Sequence, residues 1–62
     1  MIPLTRLDGT PFFLNERMLV TIEETPDTVI HLTTGTSMIV LERAQDIVES
    51  VVRFHRSLLR QE

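Results

Sequence analysis

Apolar and polar residues alternate with a period of two up to Leu41 and with a period of about 3.6 beyond it, which predicts strands followed by a helix. Ile2 to Leu7 is apolar and β-branched, Asp8-Gly9 is a turn signal, and Pro11 to Asn15 resumes the apolar run. Asp-Gly suits a two-residue hairpin, because both central positions of that turn need positive φ. Pro3 and Pro11 cannot donate to a ladder, so each belongs at a strand end or on an edge. Met18 to Glu24 predicts a third strand, closed by Thr25-Pro26-Asp27, where proline pre-sets φ for a type I turn and Asp27 is expected to bond the backbone. Thr28 to Thr33 predicts a fourth strand, Gly35 a turn, and Ser37 to Leu41 a fifth. The expected fold class is α+β. A small antiparallel β-meander of four to five strands spans about residues 1–41, one C-terminal amphipathic helix about 42–60, and the whole of 1–62 is a single domain.

Within the helix, Ala44, Ile47, Val48, Val51, Val52, Phe54, Leu58 and Leu59 fall in an arc of roughly 160°, and His55 lies inside it. Acids lead and arginines follow, as the helix dipole favours, and Glu49 to Arg53 has the spacing of an i,i+4 ion pair. Two mismatches bear on function. A helix of that length is about 28 Å long, whereas strands of five or six residues span about 17–20 Å, so Leu58 and Leu59 should overhang the sheet. Apolar residues also occupy both strand faces. Alternation puts Phe12, Leu14, Val20, Ile22, Ile30, Leu32, Met38 and Val40 on the core side and Phe13, Leu19, Val29, Ile39 and Leu41 on the other. One helix covers one face, which leaves the second to strong curling of the sheet or to another chain.

Composition strengthens the case for a partner. At 62 residues with no cysteine, the chain has no access to disulfides or thiolate metal sites, and a domain of this size stands at roughly 3–9 kcal/mol of stability. Oligomerisation or docking is the remaining stabilising device. The net charge is −3 with six arginines and no lysine, which argues against a nucleic-acid footprint. No apolar run has the length of a membrane span and no signal peptide opens the chain, so membrane insertion is not expected and the cytoplasm is the default compartment.

Catalytic chemistry has little to work with. Gly9 and Gly35 sit in turns, not in a phosphate loop, and no serine stands in a nucleophile elbow. His31 and His55 have no metal-ligand spacing; a strand-surface histidine and a helix-face histidine at a core edge are the simpler readings. Glu23, Glu24 and Asp27 crowd one turn, yet adjacent strand residues point to opposite faces, so they read as a solvated or partner-docking acidic surface. Arg6, on the exposed edge beside the Asp-Gly turn, is a further candidate for polar docking. No enzyme activity, cofactor or metal is expected.

Leu4-Thr5-Arg6-Leu7-Asp8-Gly9, then Ile22-Glu23-Glu24-Thr25-Pro26-Asp27-Thr28-Val29-Ile30, then Leu32-Thr33-Thr34-Gly35 and a Val40-Leu41-Glu42 entry to an amphipathic helix together resemble the FlbD/SwrD family of small bacterial flagellar proteins, over about residues 1–57. The chain departs from the family at Thr36-Ser37-Met38 and in its lysine-free tail. The resemblance implies a non-enzymatic flagellar accessory protein that supports motor power and swarming, cytoplasmic or peripheral at the flagellar base. It brings no catalytic residues and no established binding residues. A looser likeness links Leu4-Thr5-Arg6 and Val40-Leu41-Glu42-Arg43 to the small CsrA-type RNA-binding regulators, whose alanine-proline turn and motif histidine are missing here. That alternative would make the chain a post-transcriptional regulator. Under the leading reading the chain is a homo-oligomer that contacts a flagellar motor or stator component. The candidate interface is Phe13, Leu19, Val29, Ile39, Phe54, Leu58 and Leu59, with Arg6, Glu23, Glu24 and Asp27 as candidate polar docking residues.

Overall fold

A computed structural model describes the backbone of residues 1–59 and the side chains of residues 1–56. Along the chain run β1 (Ile2–Thr5), β2 (Pro11–Leu14), a 3₁₀ turn (Glu16–Met18), β3 (Leu19–Glu24), β4 (Thr28–Leu32), β5 (Ser37–Val40) and the helix α1 (Ala44–Leu59). The α+β class and the strand count agree with the sequence pattern, but the strands divide into an antiparallel β1–β2 ribbon and an antiparallel sheet in the order β3–β4–β5. A bridge between Arg6 and Val40 joins the two, and the Leu41 N–H donates to the Thr5 carbonyl at 2.9 Å.

Both hairpins that contain a glycine use the same device. The Gly9 N–H donates to the Arg6 carbonyl at 2.9 Å and the Arg6 N–H to the Thr10 carbonyl at 2.8 Å; the Gly35 N–H donates to the Leu32 carbonyl at 3.0 Å and the Leu32 N–H to the Thr36 carbonyl at 2.9 Å. Each loop is thus three residues long and closes on a left-handed glycine, with φ of 95° at Gly9 and 88° at Gly35. The two-residue turn expected at Asp8-Gly9 does not form. Only Gly9 takes positive φ, while Asp8 accepts the Thr10 N–H at 2.9 Å and stays in the ordinary region. Between β3 and β4, where a type I turn is expected, the chain bends through a cis Thr25–Pro26 peptide. The local side-chain bond there comes from Thr25, whose hydroxyl donates to the Glu24 carbonyl at 2.6 Å, instead of from Asp27.

Ile2, Leu4, Leu14, Ile30, Val40 and Ile47 form the buried core, with Phe12, Leu19, Ile22, Leu32, Met38, Val51 and Phe54 packed partly against it. Each fully buried Ile contributes about 1.5–3 kcal/mol relative to exposure. The strand alternation holds with one change. Leu19 pairs with Leu32 and Thr21 with His31, so the register shifts by one residue at Val20. This β-bulge inserts an extra residue and reverses parity. Leu19 therefore lies on the core side, and Val20, expected inside, is 59% exposed.

The helix starts later than the pattern suggests, because Glu42 is engaged elsewhere. Its Oε1 accepts the Thr5 N–H at 2.9 Å and its Oε2 the Thr5 hydroxyl at 2.8 Å. The core takes Ile47, Val51 and Phe54 from α1, whereas Val48 and Val52, on the same apolar arc, remain 46% and 43% exposed. His55 is exposed as well. Glu49 accepts from the Gln45 amide at 3.3 Å and makes no ion pair with Arg53.

Candidate functional site

Two surfaces gather the residues that the sequence singles out. The first is the outer face of the β3–β4–β5 sheet. Cross-strand pairing places Glu23 beside Val29 and Val29 beside Ile39 in one row, and Thr21, His31 and Ser37 in the next. Val29 is half-buried and Ile39 is 37% exposed. Ser37 Oγ lies 2.8 Å from His31 Nδ1, and His31 Nε2 lies 3.8 Å from Glu23 Oε2. This polar line across three strands is not apparent from the sequence, because Glu23, His31 and Ser37 meet only once the register is known. It superficially has the residue types of a hydrolytic triad. A hydrolytic site also needs a cleft and donors aimed at a developing oxyanion, whereas these groups lie on an open sheet face.

Of the other candidates, Phe13 projects from β2 on the far ribbon and is 71% exposed. Leu19 and Phe54 turn toward the core, and the side chains of Leu58 and Leu59 lie outside the described residues. Arg6 folds over Phe12, its guanidinium carbon 4.6 Å from the ring centroid. Asp27 is exposed. The Thr10 backbone N–H, then the Thr10 hydroxyl, hold the Asp8 carboxyl below its ordinary range, with Arg6 adding to the effect.

Glu24 has a task inside the fold. Its Oε1 accepts the Ala44 N–H at 2.7 Å, and its Oε2 lies 3.4 Å from Arg43 Nη2. The first N–H groups of a helix have no partner within it, so a carboxylate delivered by β3 acts as an N-terminal cap for α1. Glu24→Ala should cost about 0.5–2 kcal/mol, the usual loss for a removed cap. Chemical denaturation followed by far-UV circular dichroism would measure it; an unchanged midpoint would show that the cap carries no weight.

The second surface is a groove of about 450 Å³ between the β1–β2 ribbon and the start of α1, with Pro3, Thr5, Phe12, Phe13, Glu42 and Ser50 in its lining. Most of that lining is apolar; Thr5 and Ser50 add hydroxyls, and its one charged group is the half-buried Glu42 carboxylate. Burial alone would raise its pKa; the hydrogen bonds from the Thr5 hydroxyl and N–H outweigh that and hold it below the ordinary glutamate value. Among the described residues, no group of three His, Cys, Asp or Glu side chains could hold a metal ion. Nor is any described helix long and apolar enough to cross a membrane.

The fold and its surfaces define a small α+β protein whose candidate sites are an open sheet face and a groove, shapes suited to contacts with other macromolecules. The family described as FlbD, flagellar and swarming motility proteins, matches residues 1–59. This chain belongs to that family, and it is a small protein of flagellar motility. Searches of curated proteins and of solved structures returned no match.

Proposed function

We propose that this chain is a non-enzymatic flagellar accessory protein that supports motor power and swarming through protein–protein contacts, as a homo-oligomer docked on a motor or stator component at the cytoplasmic base of the flagellum. The observation that carries this reading is the family match over residues 1–59. Membership speaks for motility; the contact mode rests on the surfaces. Phe13 at 71%, Val48 at 46%, Val52 at 43% and Ile39 at 37% exposure leave apolar side chains uncovered on a chain of 62 residues. Scattered apolar residues are ordinary on a surface, but a short chain that leaves a Phe and a helix stripe open favours completion by a neighbour. The candidate interface is Phe13, Val29 and Ile39 with the helix end at Leu58 and Leu59; Leu19 and Phe54, which pack against the core, leave it. Glu23 and Asp27 supply negative charge for a basic partner; Arg6 is held at Phe12 and Glu24 at the helix start.

The RNA-regulator alternative gains no support. The arginines of its two matching segments are engaged within the chain, Arg6 over Phe12 and Arg43 toward Glu24, and the net charge is −3. Analytical ultracentrifugation at micromolar concentration should give a species heavier than the 7.2 kDa chain; a sharp monomer boundary would remove the oligomer. In the cell, deletion should weaken swarming while filaments still assemble, and normal swarming in the deletion strain would remove the motility role.

A further inference from the structure

We infer that the groove between the β1–β2 ribbon and α1 is a docking site for an arginine side chain, flanked by apolar residues, on a partner protein. The inference rests on the protein-contact reading above and names the chemistry of one contact. The groove, about 450 Å³ in volume, joins apolar walls at Pro3, Phe12 and Phe13 to one anionic group, Glu42. The Thr5 N–H and hydroxyl fix the two Glu42 oxygens at 2.9 and 2.8 Å, which orients the carboxylate before any ligand arrives. Each oxygen keeps a further lone pair, so the carboxylate can still accept a charge-assisted hydrogen bond from a guanidinium N–H. Among the described residues the carboxylates that face a cation are Glu16, at the Met1 amino group, and Glu24, at Arg43, and His31 lies beside Glu23, so no described basic group pairs with Glu42.

Its surroundings select the cation. Phe13 lines the groove and is 71% exposed, so its ring is accessible to a guanidinium, and Arg6 over Phe12 shows the same pairing within the chain. A carboxylate there repels phosphate, which excludes nucleic acid and anionic lipid headgroups as occupants. Apolar walls favour apolar neighbours around the arginine over a free small cation.

The test is an amide NMR titration of the full chain with a blocked pentapeptide that carries one arginine between two leucines, and with its twin in which neutral citrulline replaces arginine. The arginine peptide should shift the amides of Thr5, Phe13 and Ser50, the citrulline twin should bind at least about tenfold more weakly, and Glu42→Gln should lose the difference. Phe13→Ser removes an exposed side chain, so it keeps the fold, and it should weaken the arginine peptide as well. Equal binding of the two peptides, or shifts confined to other surfaces, would overturn the inference. So would shifts of the Thr5 and Ser50 amides on concentrating the protein alone, which would make a second copy the groove's occupant; Phe13, placed in the oligomer contact, is expected to shift then in either case. Swarming separates this inference from the motility reading. If deletion abolishes swarming but Glu42→Gln and Phe13→Ser restore it fully, the groove falls and the motility role stands. If deletion has no effect, the role falls and the titration alone decides the groove.

Discussion

Ile30→Ala should remove much of the stability of this chain. Ile30 is 0% exposed in the central strand β4, paired with Ile22 on one side and Met38 on the other. Truncating a buried Ile costs about 2–5 kcal/mol, because the transfer energy of the lost methyl groups adds to the cavity left behind. Against a total of roughly 3–9 kcal/mol for a domain of this size, that loss is a large share and at the lower end exceeds the whole. For 60 to 100 residues each kcal/mol moves the midpoint by about 4–8 °C, so thermal denaturation by circular dichroism should show a fall of at least about 8 °C. Ile39, on the outer face and 37% exposed, is the matched control: Ile39→Ala should cost under about 1 kcal/mol. If the two variants melted together, the division of faces described above would be wrong.

Glu42→Ala should follow, with a loss of about 1–3 kcal/mol, the usual consequence of leaving partners unpaired in a half-buried position. The affected partners are the Thr5 N–H and hydroxyl. The same contact makes stability depend on pH in a fixed direction. The folded Glu42 carboxyl has a lowered pKa, held down by Thr5 against the opposing effect of burial. Between the folded and ordinary values, the unfolded chain binds more protons, so stability rises with pH. The contribution is complete above the ordinary glutamate value of 4.5 and is lost as pH falls from there through the lower folded value. Asp8 and Glu16 carry lowered values too, Asp8 through Thr10 and Glu16 through its hydrogen bond from the chain's amino terminus. Acid sensitivity should therefore persist in Glu42→Gln but with a shallower slope. Urea midpoints of the parent and the variant across pH 3–7 would measure the difference; parallel curves would show that Thr5 does not favour the ionised form.

Strand order, face assignment and the helix were accessible to sequence reasoning wherever a local rule operates. Hydrophobic alternation marks Phe12, Leu14, Ile30 and Val40 as inward, and the 3.6-residue period marks Ile47, Val51 and Phe54. The rule breaks at Val20, because a bulge changes parity without leaving a compositional sign: a Leu-Val-Thr-Ile run fits either register. At Asp8-Gly9 the dipeptide marks the turn, but its length depends on the Thr10 N–H reaching the Asp8 side chain. Glu24 and Glu42 look like surface acids in sequence. Their partners, Ala44 and Thr5, lie 20 and 37 residues away, so only the assembled fold discloses them. The candidate site was legible in part for the same reason. Phe13, Val29 and Ile39 follow from parity, whereas the groove and the Glu23–His31–Ser37 line arise from register and from the passage of α1 beside β1.

The link between β5 and α1 works as a keystone. Glu42 reaches out of it to Thr5 on the β1–β2 ribbon, and two residues later the Ala44 N–H donates to Glu24 on the β3–β4–β5 sheet. Neither ribbon alone sets the direction in which the helix leaves the body; both must be in register before both grips close. Loss of either contact would release one side of the arch, and the two sides are joined through three residues, Glu42 to Ala44. A partner that grips the helix would, through this joint, sense the state of both ribbons at once.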